Sequence, residues 1–171
     1  MLNEKMLIEL NKQINAEFYS AYLYLSMSAS MEAHSLKGFA NWFRVQWQEE
    51  LSHALKLFDY VTERGGEIKL DSIETPKIYW ISPLEIFIDT YTHEKKVTGM
   101  ISDLMEVAQM EKDFATQQML QWFIKEQVEE EANASELVGK LKMIGEDKRG
   151  LLELDRELLG RVFTDETQQS K

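Results

Sequence analysis

Helix-breaking signals fall at only four places in this chain, and their scarcity limits the fold more than any other feature. They lie near "HSL" at 34–36, across 65–82, at "KDF" around 112–114 and at "GED" around 145–147. With 8 Gly and 2 Pro in 171 residues, little else interrupts a helix. The spacing predicts five helices, over about 4–33, 37–64, 83–111, 115–144 and 147–161, with a crossover at about 65–82. Gly65 and Gly66 supply a left-handed C-terminal cap. Ser82, Pro83 and Glu85 read as N-cap, first helical position and capping box.

Four helices of about 28–30 residues would each be about 42–45 Å long. The first and third connections are short, so each joins an antiparallel pair. The roughly 17-residue middle connection can span about 56 Å when extended. It is long enough to travel the length of a bundle, which makes the second and third helices parallel. The expected fold is all-α: a four-helix bundle of two antiparallel pairs, a long crossover and a short fifth helix. Residues 1–171 are read as one domain. The fifth helix carries Leu151, Leu152, Leu154, Leu158 and Leu159. It is too apolar to lie free in water, so it is expected to pack into an assembly interface.

Each long helix sets a glutamate on the stripe it should bury. At spacings of three, four and seven, Glu17 shares a face with Leu10, Ile14, Ala21 and Tyr24, and Glu50 with Phe43, Trp47, His53, Ala54 and Leu57. Glu94 falls with Phe87, Tyr91, Val97 and Ile101, and Glu130 with Phe123, Gln127, Ala134 and Leu137. All four lie within about 4.5 Å of their helix midpoints, so side-by-side packing brings them to one level. An unpaired buried carboxylate costs several kcal/mol or becomes neutral. His53 is the only nitrogen base on these faces. Two divalent cations would balance four carboxylates, and an oxygen-rich set with one imidazole suits iron or manganese better than zinc.

Each piece has an ordinary reading too. A lone E-x-x-H is commonly a solvated turn, and "VEEEA" is commonly an exposed face. A single Glu on an apolar stripe is often a boundary residue. Four at one height, one of them beside a histidine, are harder to explain in that way. Tyr24, two turns from Glu17, could donate to a ligand carboxylate or deliver an electron, and a plain core tyrosine accounts for it equally. Gln127 is placed to hydrogen-bond within the layer. His34 is expected at the surface, His93 in a structural or interface role, and Glu131 facing solvent.

Composition excludes several classes. The chain has no cysteine, so disulfides, zinc–thiolate sites and iron–sulfur clusters are ruled out and a cytoplasmic setting is the default. Its N-terminus lacks a signal-peptide pattern, and no run is long enough to span a membrane. A formal net charge of −11 argues against nucleic acid and anionic lipid as partners and suits cations.

The stretches "LNKQINAEFYSAYLYLSM", "KGFANWFRVQWQEELSHALKLFDYVTERGG", "YTHEKKVT", "EKDFATQQMLQWFIKEQVEEEA" and "LLELDRELLGR" together resemble the non-haem ferritins of bacteria and archaea over about residues 3–165. The resemblance implies a ferroxidase centre that oxidises Fe(II) with O2 or H2O2. Glu17 and His53 would hold one iron, Glu50 would bridge, and Glu94 and Glu130 would hold the second, with Gln127 beside the pair and Tyr24 adjacent. A third iron site would correspond to Glu49, Glu126, Glu129 and Glu130. It also implies a 24-copy hollow shell storing ferric mineral. Departures narrow the kind. The second E-x-x-H of the wider superfamily is replaced by Gln127 and Glu130, which disfavours bacterioferritins and rubrerythrin-type peroxidases. Leu51 stands where a haem-binding methionine would follow the bridging glutamate, so no haem is expected. The tail "TDETQQSK" is unlike the basic tail of DNA-protecting mini-ferritins. Two rival expectations remain: a passive cation-sequestering shell, and a di-metal oxidase acting on another substrate.

Overall fold

The computed structural model describes residues 2–165 and 167. It contains five helices: α1 (Glu4–Ala33), α2 (Lys37–Glu63), α3 (Pro83–Met110), α4 (Phe114–Ile144) and α5 (Lys148–Leu158). The boundaries match expectation to within a residue except in α5, which ends three residues early. Asn41 on α2 explains that end, because its Nδ2 donates to the carbonyls of Leu158 at 3.1 Å and Arg161 at 3.0 Å. A side chain from the neighbouring helix thus satisfies carbonyls that another turn of α5 would have used.

The caps explain why the other helices stop. Gly65 sits at φ 71°, Gly66 N–H donates to Val61 O and Gly65 N–H to Thr62 O, which is a Schellman motif. The same bonding pattern ends α1 at Ser35 (φ 60°) and α3 at Lys112 (φ 54°), with no glycine at either place. Ser82 Oγ accepts from Glu85 N–H at 3.2 Å, while Glu85 reaches back to Ile81 N–H at 2.8 Å. The expected capping box is therefore present, displaced by one residue on its return arm.

Cross-helix partners give the directions. α1 meets α3 through Tyr24–Glu94, Thr90–Met27 and Asn3–Glu111, so the two are antiparallel. α2 meets α4 through Gln46–Glu130 and Tyr60–Thr116, and that pair is antiparallel as well. With the two short connections reversing the chain, α2 and α3 run the same way, as the crossover requires. The crossover follows α1, whose side chains hold it: Asn11 bonds Glu67 O and Lys69 N–H, Ser26 bonds Lys77 O, and His34 bonds Trp80 O. Exposed His34 therefore has a structural task at the surface.

The apolar core is divided in two. One cluster holds Tyr24, Met27, Trp42, Phe43, Phe87 and Leu154, and the other holds Met6, Ile14, Leu57, Val97, Leu120 and Phe123. Leu154 and Leu158 of α5 are buried against the chain's own bundle, whereas Leu152 and Leu159 are about half exposed. The apolar face of α5 is thus partly spent within the subunit. Among the described residues, no helix is long and apolar enough to cross a membrane.

Candidate metal centre

Between the two apolar clusters lies a polar layer. Glu17, Glu50, Glu94 and Glu130 are each at most 4% exposed, and His53 is 3% exposed. All four long helices therefore bury one carboxylate, as their spacing predicts. Ligand atoms of Glu17, Glu50 and His53 lie within 4.8 Å of one another, close enough to share one ion. His53 Nδ1 is 3.4 Å from Glu50 Oε2.

The layer is short of donors. Gln13 Nε2 donates to Glu17 Oε1 at 2.8 Å, and Gln46 Nε2 donates to Glu130 Oε2 at 2.6 Å. The Tyr24 hydroxyl and Gln127 Nε2 (3.2 Å) donate to Glu94. Glu17 Oε2 is buried with no hydrogen-bond partner among the described residues. An orphaned carboxylate oxygen inside a converging Glu/Glu/His group is what a hard cation would satisfy, so the donor set fits iron.

Electrostatics agree. Burial, reinforced by the charges of Glu94 and Glu17, holds the Glu50 carboxyl well above its usual range. Glu130 is raised in the same way by burial and by Glu94 and Glu50. Glu94 is pushed up to about 7 by burial, against the opposing bonds from Tyr24 and Gln127. Burial and the neighbouring Glu94 and Glu50 raise Tyr24 well above the normal phenol range, so it remains a donor at neutral pH. Without cations the layer keeps protons, and arriving cations would displace them.

The outer acids behave differently. Glu49 pairs with Arg161 at 2.5 Å, Glu126 Oε1 lies 4.0 Å from His53 Nε2, and exposed Glu129 lies 3.4 Å from Lys125. Among the described residues, the structure does not bring Glu49, Glu126 and Glu129 into one compact ligand group. Glu131 does not simply face solvent: it is partly buried and accepts from Thr98 Oγ1 at 2.6 Å. His93 packs between α1 and α3, with Nε2 2.8 Å from Ser20 Oγ and its ring against Tyr19 and Tyr24. Burial and Lys96 lower its pKa to about 4, which suits a neutral structural imidazole.

Residue-by-residue reading missed Gln13, Gln46 and Arg161. Two of the three had a signal. Gln13 precedes Glu17 by four residues and Gln46 precedes Glu50 by four, much as Gln127 precedes Glu130 by three. A glutamine one turn ahead of a buried glutamate lies on the same face. Arg161 had none, because it reaches the layer from beyond α5.

Comparison with known proteins is consistent with this geometry. The ferritin-like domain profile matches residues 8–144. A bacterial non-heme ferritin from Bacteroides fragilis is 42% identical over 158 residues, covering 92% of this chain and 98% of that one. A bacterial non-heme ferritin from Staphylococcus epidermidis is 39% identical over 166 residues, covering 97% and 100%. Among solved structures, an open pore ferritin from the archaeon Archaeoglobus fulgidus superposes with a TM-score of 0.94 at 58% identity, covering 95% of this chain and all of that one. The chain belongs to the ferritin family, in its non-haem bacterial and archaeal branch.

Proposed function

We propose that the chain is the subunit of an iron-storage ferritin that oxidises Fe(II) at a centre within each subunit. The observation that carries this reading is the buried layer of four glutamates and one histidine, with an orphaned oxygen on Glu17. Two Fe(II) ions are the substrate. Glu17 and His53 bind one, Glu94 and Glu130 bind the other, and Glu50 bridges between them. Each Fe(II) gives up one electron, and O2 or H2O2 receives them.

The rest is work for the chain's own groups. Gln13, Gln46 and Gln127 keep three of the carboxylates oriented through their amide N–H groups. Tyr24 holds Glu94 by its hydroxyl, next to the pair. Protons released as cations enter are available to the reduced oxygen. Glu49, Glu126 and Glu129, together with Glu130, form the route by which ferric product leaves and make up the third iron position. Residues 1–171 then act as one di-iron domain in a cytoplasmic 24-copy shell. Exposed Ile78, Tyr79, Ile81 and Met143 are apolar surface that neighbouring copies would cover.

Anaerobic Fe(II) titration followed by admission of air tests the reading. Two or three tightly held ions per chain, fast oxidation and a soluble mineral are expected, and Glu50→Ala should leave only slow oxidation. A parent protein that binds cations but has no fast phase would instead be a passive store. Electron microscopy of the purified particle tests the shell.

A further inference from the structure

Arg161 lies three residues beyond the end of α5, yet its side chain reaches the edge of the glutamate layer. Its Nη2 is 2.5 Å from Glu49 Oε2. Its Nη1 donates to Gln46 Oε1 at 2.9 Å and to the Trp42 carbonyl at 3.2 Å. The guanidinium lies over the Trp42 ring, with Cζ 4.4 Å from the centroid. Gln46 in turn donates to Glu130. A side-chain amide presents an oxygen at one end and a donor at the other, and its neighbours decide which end faces which. Because Arg161 can only donate, it claims the oxygen of Gln46 and turns the N–H2 towards Glu130.

We propose that Arg161 is the resident cation of the outer acidic cluster, held on Glu49 until a metal ion displaces it, and a positioning residue for Glu130 through Gln46. The inference rests on the reading that Glu49, Glu126 and Glu129 take a further iron. It explains why those acids do not converge: Glu49 is drawn to Arg161 and Glu129 to Lys125. Displacement needs no unfolding. Arg161 follows the last helical turn, and the Arg161 and Glu49 side chains are each about one-fifth exposed, so water can take over the guanidinium. The order of filling follows. Among the described residues no arginine or lysine pairs with the inner carboxylates, so that layer fills first, while the outer position must compete with a tethered cation.

The test is calorimetric titration of the assembled protein with Fe(II) alone, under anaerobic conditions. The parent should bind two ions tightly and a third more weakly. Arg161→Gln should tighten the third by about tenfold, equivalent to about 1.4 kcal/mol, with the first two altered less than about threefold by the smaller loss of positioning. Arg161→Lys keeps the charge and should resemble the parent. A third dissociation constant that is unchanged or weaker in Arg161→Gln, with the first two intact, overturns the inference and leaves the di-iron reading standing. So does a Lys variant that binds the third ion as tightly as the Gln variant. A parent that holds no tight pair of ions defeats the di-iron reading itself, and this inference with it.

Discussion

Inner Glu50 and Glu130 directly follow outer Glu49 and Glu129 in the chain, yet the protein treats the two sets oppositely. Glu17, Glu50, Glu94 and Glu130 are sealed between two apolar clusters, with amides and a phenol as donors and the imidazole of His53 beside Glu50. Glu49 and Glu129 lie nearer water, each beside a cation already tethered to the chain. Burial makes charge expensive where no solvent can screen it, and a salt bridge near the surface contributes little. The inner layer thus stores an unmet demand for cations, and the outer patch has largely met its own.

The largest expected effect separates the two regions by rate. Glu50→Ala should slow the initial oxidation of Fe(II) by at least about 100-fold, because both ions lose a shared ligand and their spacing. Glu129→Ala should change that initial rate by less than about twofold. Stopped-flow absorbance on both variants checks this, and equal losses would erase the distinction.

Next comes stability. Anaerobic Fe(II) at about 100 times its dissociation constant should stabilise the fold by about 2.7 kcal/mol for each inner site, and a chelator should reverse it. Thermal unfolding of parent and Glu50→Ala measures the difference.

A smaller effect follows from the raised carboxyl of Glu94. Folded, it titrates at about 7, above its ordinary 4.5. The native state therefore holds an extra proton between those values, and its metal-free stability falls as pH rises across that window. Glu94 alone contributes a slope of at most about 1.4 kcal/mol per pH unit, beside that of the raised Glu50 and Glu130, and its contribution is fully present below the lower value. Glu94→Gln should flatten the slope in denaturant melts between pH 5 and 7. A slope of equal size in both proteins would mean that Glu94 does not hold the extra proton.

The smallest effect belongs to the outer patch. Lys125→Ala should cost only about 0.3 kcal/mol of stability, as an exposed i,i+4 pair does. A loss above about 1 kcal/mol would place Glu129 among the buried acids.

Much of this was legible in the residues, for identifiable reasons. Helical periodicity put Glu17, Glu50, Glu94 and Glu130 on buried stripes, and equal helix lengths put them at one level. The turn at Gly65 was legible because glycine marks left-handed backbone. The equivalent turns at Ser35 and Lys112 were placed only by a break in pattern, since neither residue type announces a positive φ. Arg161 was illegible because nothing local links it to Glu49, from which it is separated by most of the chain. Only the docking of α5 brings them together. The end of α5 was overrun for a related reason: its stop is supplied by Asn41, from another helix.

That docking turns on a single absent methyl group. The N-cap residue of α2, Leu36, has no side chain able to cap it, and Asp155 of α5 supplies the cap, accepting from Gly38 N–H at 2.8 Å and Phe39 N–H at 3.0 Å. A Cβ on Gly38 would stand 1.5 Å from the Asp155 carbonyl oxygen, so the two backbones touch there and nowhere larger than hydrogen fits. Alanine at that spot would act as a wedge, prising the C-terminal arm off its seat and carrying its guanidinium away from Glu49. The seat of Arg161 beside Glu49 thus depends on a residue with no side chain at all.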